Sequence, residues 1–468
     1  MCRDGVSGPD VRTDGRWIAP SYRRSRYRRL SAAGENRPGA RVMAGERSKP
    51  PAGRRCRRRR LQPGARRPTD LLVVFFSAGI ALLVAGAAAG AAHAVTGAEA
   101  LRWLALHLVF LGGVSQLVLG AGQFFVCAFL ATEPPSRRLV GAQIVVWNAG
   151  TLLVAFGVWT AVAPLVDVGD GVIVLGLVLF AAGLRGMQRR SLQHARWAVR
   201  WYQACAPCLG LGAMIGVLLA RGTAWPHGSL LGAHLALNLL GWFGTAIVGT
   251  LHTFFPSLTH TQLRFPRLQG PIFALWLLGV GQLALGAAFA VDAIVVLGWL
   301  ELAAAAALLV VNLAASLRAA PDPLALPARL IAVGQAFLAA GLLVALAATA
   351  MGGIAAPFAG APRGALAVLL LAGWIGLTVA GALLHLLAVL ARVRRFSATM
   401  PAPRPARDRL VVAAAGTGVS AVALSHVGAL DALAAPGTAA LVAVAVFVGV
   451  RILAAATAAF RAAVLRPT

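Results

Sequence analysis

The sequence predicts an all-α integral membrane protein of about twelve transmembrane helices. It also predicts three pseudo-symmetric four-helix units, with both termini in the cytoplasm. Three observations lead there. Hydrophobic residues make up 59% of the 468-residue chain and charged residues only 12%, a composition of polytopic membrane proteins and not of soluble domains. Apolar runs of roughly 20 residues, the length that crosses a bilayer, recur from residue 71 onward. Arginine collects in alternate connections between those runs, as the positive-inside bias requires.

Residues 1–68 read as an Arg-rich cytoplasmic tail. They carry Arg23-Arg24, Arg28-Arg29 and Arg54-Arg55-Cys56-Arg57-Arg58-Arg59-Arg60, among Pro, Gly and Ser, with almost no apolar periodicity. Such a segment is expected to be disordered. It orients the N-terminus and suits anionic lipid headgroups, at about 1 kcal/mol per Arg near the surface. No folded nucleic-acid reader accompanies it, so nucleic acid is not an expected partner. No short apolar core with a cleavage site precedes Asp70, so the tail is not a secretory signal. Met43 is an alternative start. The five cysteines, Cys2, Cys56, Cys127, Cys205 and Cys208, form no disulfide framework.

Residues 69–468 read as the membrane domain. Helices are expected near 71–93, 103–131, 139–163, 171–188, 202–220, 229–256, 270–291, 293–317, 328–350, 364–391, 410–430 and 437–460. With the N-terminus inside, the inner connections hold Arg137, Arg138, Arg185, Arg189, Arg190, Arg196, Arg200, Arg264, Arg267, Arg318 and Arg329. They also hold Arg392, Arg394, Arg395, Arg404, Arg407 and Arg409. The outer ones hold only Arg102, Arg221 and Arg363, with Glu99, Asp167, Asp170, Asp292 and Asp431. Adding or removing one span would scramble this separation. The expected location is a bacterial cytoplasmic membrane.

The sixth helix is the richest in polar detail. His234 and His252 stand 18 positions apart, five α-helical turns, and so share a face. Asn238, Gly241, Thr245 and Gly249 lie between them on that face, which must meet protein or a bound group rather than lipid. Parts of this pattern recur. Gly241-Trp242-Phe243-Gly244, Gly249 and His252 are echoed on the tenth helix by Gly373-Trp374-Ile375-Gly376, Gly381 and His385. The second helix has Gly112 and Gly120, again eight apart, with Gln123 where the histidine would be. The period is about 130 residues, or four helices, and such self-similarity is a fold signal.

Three four-helix units keyed on helices 2, 6 and 10 resemble subunit I of the haem–copper oxidases and the related nitric-oxide-response membrane proteins. Residues 100–270 resemble more closely the membrane region that precedes the cupredoxin domains of some bacterial multicopper-oxidase or nitrite-reductase-like proteins. RWYQACAPCLGLGAMIGVLLARG and HLALNLLGWFGTAIVGTLHTFFPSLTHTQ carry that likeness. No cupredoxin domain follows here. The oxidase resemblance implies haem and copper ligands on helices 2, 6, 7 and 10. Helix 7 has no histidine and helix 10 only His385, at its inner end. The oxygen-reducing centre of that family is therefore incomplete. His107 and His234 alone match by position.

The candidate cofactor ligands are His107, His234, His252 and His385, with Asn238 placed to orient His234. His107 and His234 fall near the outer surface, His252 and His385 near the inner. Two stacked histidine pairs suit two bis-imidazole haems of b type, passing electrons across the membrane. His107 and His234 also suit copper, joined by His93, His227 or His426. The bland alternative is that these imidazoles bond a carbonyl one turn away and bind nothing. His194 and His260 are expected to be solvated.

Further candidates are Cys205-Ala206-Pro207-Cys208 at the start of helix 5, Glu301 as a proton site or partner of an Arg, and Arg451 inside helix 12. Gln116, Gln123 and Cys127 share one face of helix 2. They line a polar path or bond neighbouring helices. Trp103, Trp201 and Trp225 read as interface anchors. No Walker motif, GxSxG elbow, HExxH or paired carboxylates occur, which leaves ATP-driven and hydrolytic chemistry without support. Three functions remain open. One is electron transfer, or nitrogen-oxide or copper handling, on haem or copper with a cupredoxin or cytochrome partner. The others are secondary transport and anchoring of a separately encoded cupredoxin.

Overall fold

The computed structural model describes residues 67–193, 196–321, 323–394, 402–426 and 428–464. The tail through residue 66, with Met43, Cys2 and Cys56, lies outside the described residues, as do His194 and Arg395. Among the described residues there is no strand, and twelve helices are long and apolar enough to cross a membrane. They are α1 (Pro68–Thr96), α2 (Glu99–Phe129), α3 (Arg137–Trp159), α4 (Ala163–Arg190), α5 (Trp197–Ala220), α6 (Leu230–Leu258), α7 (Pro266–Phe289), α8 (Asp292–Ala319), α9 (Leu326–Gly352), α10 (Gly360–Val393), α11 (Pro405–Ser425) and α12 (Leu430–Arg461). The chain is thus a multi-pass helical protein of membrane-spanning dimensions.

Local chemistry sets the helix ends. Proline occupies the first turn of α1, α4, α9 and α11, where its missing N–H is not needed. The Ser136 and Ser229 hydroxyls accept from Leu139 N (3.2 Å) and Gly232 N (3.0 Å) and cap α3 and α6. α1 stops at Gly97, in the left-handed region at φ +69°. We call the end of the bundle where α1 begins proximal and the opposite end distal. The fourth helix starts eight residues earlier than expected. Asp167 and Asp170, expected in a loop, lie within its first turns, and the Asp167 carboxylate pairs with Arg221. Arg102 likewise pairs with Glu99, so two of the three distal arginines are neutralised locally.

Neighbouring helices pack as hairpins, α1 on α2, α3 on α4 and so on to α11 on α12. α2, α6 and α10 sit innermost. The apolar stretch of α6 is 72% buried, against 17% for α5 and for α12. The eight-spaced glycines explain how these helices approach their partners. On α2, Gly112 and Gly120 receive Leu82 and Phe75 of α1. On α6, Gly241 and Gly249 receive Cys208 and Trp201 of α5. On α10, Gly373 and Gly381 receive Phe337 and Ile331 of α9. Without a hydrophobic drive between helices in lipid, such close contact supplies the attraction.

A second feature is invisible in the residue pattern. α2, α6 and α10 are each interrupted by a π-helical segment, at Leu108–Val114, Ala236–Gly244 and Val368–Gly376. Each contains the first glycine of its pair. A π turn shifts hydrogen bonding to i→i+5 and widens the helix, and indole donors of neighbouring helices reach its carbonyls. Trp147 of α3 donates to Leu111 O (3.1 Å), and Trp276 of α7 donates to Leu240 O (3.0 Å). Both the tryptophans and the carbonyls they serve are 129 positions apart.

A Cβ at Gly249 would fall 2.3 Å from Trp201 Cγ, whereas one at Gly281 meets nothing within 4 Å. Gly249→Val is therefore expected to lower stability by about 1–3 kcal/mol or more, while Gly281→Ala leaves it unchanged. Thermal unfolding in detergent, followed by tryptophan fluorescence, measures both.

Candidate functional site

The distal halves of α2 and α6 hold His107 and His234. His107 stacks on Trp103, with ring centroids 3.8 Å apart, and its Nδ1 lies 2.9 Å from Trp103 O. His234 Nδ1 lies 2.8 Å from Gly212 O of α5. Carbonyls only accept, so in each neutral ring Nδ1 carries the proton and Nε2 keeps its lone pair. The two imidazoles lie within electrostatic reach of each other. This is how a metal-ligating histidine is oriented: one nitrogen tied to a carbonyl, the other free.

Asn238 acts differently from expectation. Its Nδ2 donates to His234 O at 2.7 Å. Its 3.2 Å approach to His234 Nδ1 joins two N–H groups in this tautomer and is not a hydrogen bond. Asn238 therefore holds the backbone entering the π segment, not the ring. Gly212 makes room for it, since a Cβ there would fall 2.6 Å from the amide.

His252 and His385 are not brought together. His252 is buried against Trp201 of α5 (centroids 5.6 Å apart), and its Nδ1 bonds Val248 O at 2.8 Å. Its Nε2 is buried without a partner. His385 instead meets the edge of Phe254 (5.6 Å). Positions 252 and 254 point about 200° apart on a helix, so the two imidazoles face different neighbours. Trp201, expected at the interface, is fully buried and fills the notch at Gly249.

The remaining candidates resolve into packing contacts. Gln123 donates to Gln143 (2.9 Å), which donates to Leu179 O (3.0 Å). Gln116 donates to Asn148 (3.0 Å), and Cys127 meets Met187. These side chains bond neighbouring helices. The Cys205 and Cys208 thiols bond Tyr202 O and Ala204 O of their own helix. Pro207 lies well inside that helix, which begins earlier than expected, at Arg196. Glu301 Oε1 accepts from Gln282 at 3.4 Å and meets no arginine, while its Oε2 is buried without a partner. His93 caps α1 through Ala98 O, His227 packs on Trp225, and His426 packs on Gly364. Among the described residues no group of three or more His, Cys, Asp or Glu is arranged to hold a metal ion.

Two interhelical cavities bear on cofactors. One of about 90 Å³ lies between α2, α6 and α10 and is lined almost wholly by apolar side chains, with Tyr202, Thr250 and Thr378 at its edge. The other, about 100 Å³, lies between α6, α7, α8 and α10, with Arg363 among its lining residues. Sites for cofactor-sized ligands span roughly 300–1,000 Å³, so neither cavity admits a haem. Around them Trp147, Trp242, Trp276 and Trp374 fill the interior.

Trp147→Phe and Trp276→Phe each remove one indole donor and leave a small cavity, whose cost adds to that of the hydrogen bond. Each is expected to cost at least about 0.5–1.5 kcal/mol, the net worth of one hydrogen bond. Thermal unfolding of the two variants measures this. No protein-family model matches the chain, and no curated protein matches it.

Proposed function

We propose that this chain is a bacterial cytoplasmic-membrane protein of three four-helix units that binds one copper ion at its distal, outward-facing end. The observation that carries it is the His107–His234 pair: two imidazoles within electrostatic reach of each other, each tied to a carbonyl through Nδ1 and each keeping an Nε2 lone pair. Imidazole nitrogen suits copper. Two nitrogens leave coordination positions open to solvent or to a partner's ligand. A bound copper ion supplies one-electron transfer or is itself the cargo, and a cupredoxin or cytochrome is the matching partner. The reading favours copper over haem b because the two cavities beside α6 are small and because His252 and His385 face different neighbours.

The three-unit arrangement draws support from repeated contacts. The glycine pairs, the π segments and the tryptophan donors recur at intervals of 128–132 positions. The axial cavity is lined in the same rhythm by Val118, Ile247 and Val379. Orientation with the proximal end in the cytoplasm draws support from the arginine-rich proximal connections and the paired distal arginines.

Purified full-length protein, loaded with copper and desalted, is expected to retain the ion. His107→Ala and His234→Ala are expected to release it and His385→Ala to keep it. Metal analysis decides this, and a metal-free wild type sinks the reading. A haem spectrum in reduced-minus-oxidised absorption would replace copper by haem. For topology, alkaline phosphatase fused after Gly97 or Gly222 is expected to be active, and after Thr132 or Ser191 inactive. The reverse pattern inverts the proposed orientation.

A further inference from the structure

The most uncompensated charge outside the histidine sites lies between α11 and α12. The two helices pack through Gly418 and Gly437, where added Cβ atoms would meet Leu441 at 3.0 Å and Ala421 at 2.8 Å. Carried along both helices, this register sets Arg451 level with Asp408, in the first turn of α11. That is the proximal membrane interface.

Asp408 is only 3% exposed. One carboxylate oxygen accepts from the Arg404 backbone N–H at 3.2 Å. The other lies 3.6 Å from Arg407 Nη2, too far for a hydrogen bond. The guanidinium groups of Arg407 and Arg451 both lie over the Phe447 ring, with Cζ 5.5 and 5.7 Å from its centroid. Arg404 is within electrostatic reach of Arg451. The Arg407 and Arg451 guanidinium groups therefore have one carboxylate between them. Arg407 Nε and Arg451 Nη1 are buried and donate to nothing.

Such an arrangement is unfavourable by itself. Buried N–H donors without acceptors are costly, and like charges over one ring repel. An anion with several oxygens relieves both defects, and the guanidinium fork matches phosphate in particular. We propose that Arg407 and Arg451, over Phe447, form a binding site for a phosphate group, carried by an anionic phospholipid or by a soluble phosphate. Asp408 holds the first turn of α11 in place and weakens the site by its own charge.

The test uses full-length protein in detergent and native mass spectrometry, with phosphatidylglycerol, phosphatidylcholine and inorganic phosphate as probes. Both lipids carry a phosphodiester, but the arginines repel the choline cation, so wild type is expected to prefer phosphatidylglycerol over phosphatidylcholine by about tenfold or more. Arg407→Gln and Arg451→Gln are expected to abolish the preference, and Arg461→Gln, outside the cluster, to keep it. Asp408→Asn retains an acceptor for the Arg404 N–H and removes the competing charge, so it is expected to tighten binding. Misfolding cannot produce that gain. Phosphatidylglycerol that excess phosphate fails to displace identifies a lipid site. Binding of phosphate alone identifies a soluble anion. No preference and no phosphate binding in wild type, equal loss in Arg461→Gln, or weaker binding in Asp408→Asn would overturn the proposal.

Discussion

Inside a bilayer no water is available to backbone or amide groups, so each must find its partner within the protein. Much of this structure follows from that constraint. Glycine pairs let α1, α5 and α9 come close enough to α2, α6 and α10 for packing to hold them. The π segments beside those glycines disturb the regular ladder, and indole N–H groups from α3 and α7 reach carbonyls within them, at Leu111 and Leu240. Gln116, Gln123 and Gln335 then find amide or hydroxyl partners on the neighbouring helix. Trp242 ties α6 to Ser115 of α2, and Trp374 ties α10 to Gln335 of α9.

Where so many polar groups are satisfied, the exceptions carry information. His252 Nε2 and Trp201 Nε1 are buried and unpaired beside each other, an acceptor and a donor. Glu301 Oε2 and Trp299 Nε1 are a second instance on α8. Arg407 and Arg451 are a third at the proximal end. His107 and His234 are not among these exceptions, and their free nitrogens are set up by carbonyl contacts instead.

Much of this was legible in the chain. Twelve apolar runs and the alternation of arginine gave the spans, and the eight-residue glycine spacing located the three central helices. The π segments were not legible, because they arise from how glycines meet the neighbouring helix, and a sequence pattern read at 3.6 residues per turn contains no such term. The paired inner histidines misled for a simpler reason. His252 stands three positions after Gly249, but His385 stands four after Gly381. One residue turns a side chain by about 100°. The position equivalent to His252 is Leu384, which is buried, and His385 is rotated out toward Phe254.

That slip bears on where function resides. The packing frame recurs on α2, α6 and α10, but the chemical groups mounted on it do not. Three positions after the second glycine stand Gln123, His252 and Leu384. At the distal end α2 and α6 each carry a histidine, and α10 has none to match. The frame is repeated and the chemistry is not, and both Nδ1-tied histidines of the proposed copper site lie on the α2–α6 side of the bundle. There α5 also contributes, through Gly212 to His234 and through Trp201 to His252. The third four-helix stretch carries the other imbalance, the arginines between α11 and α12. The distal imbalance is of nitrogen lone pairs and the proximal one of positive charge. The two proposed sites therefore make opposite electrostatic demands, the first for a cation and the second for an anion.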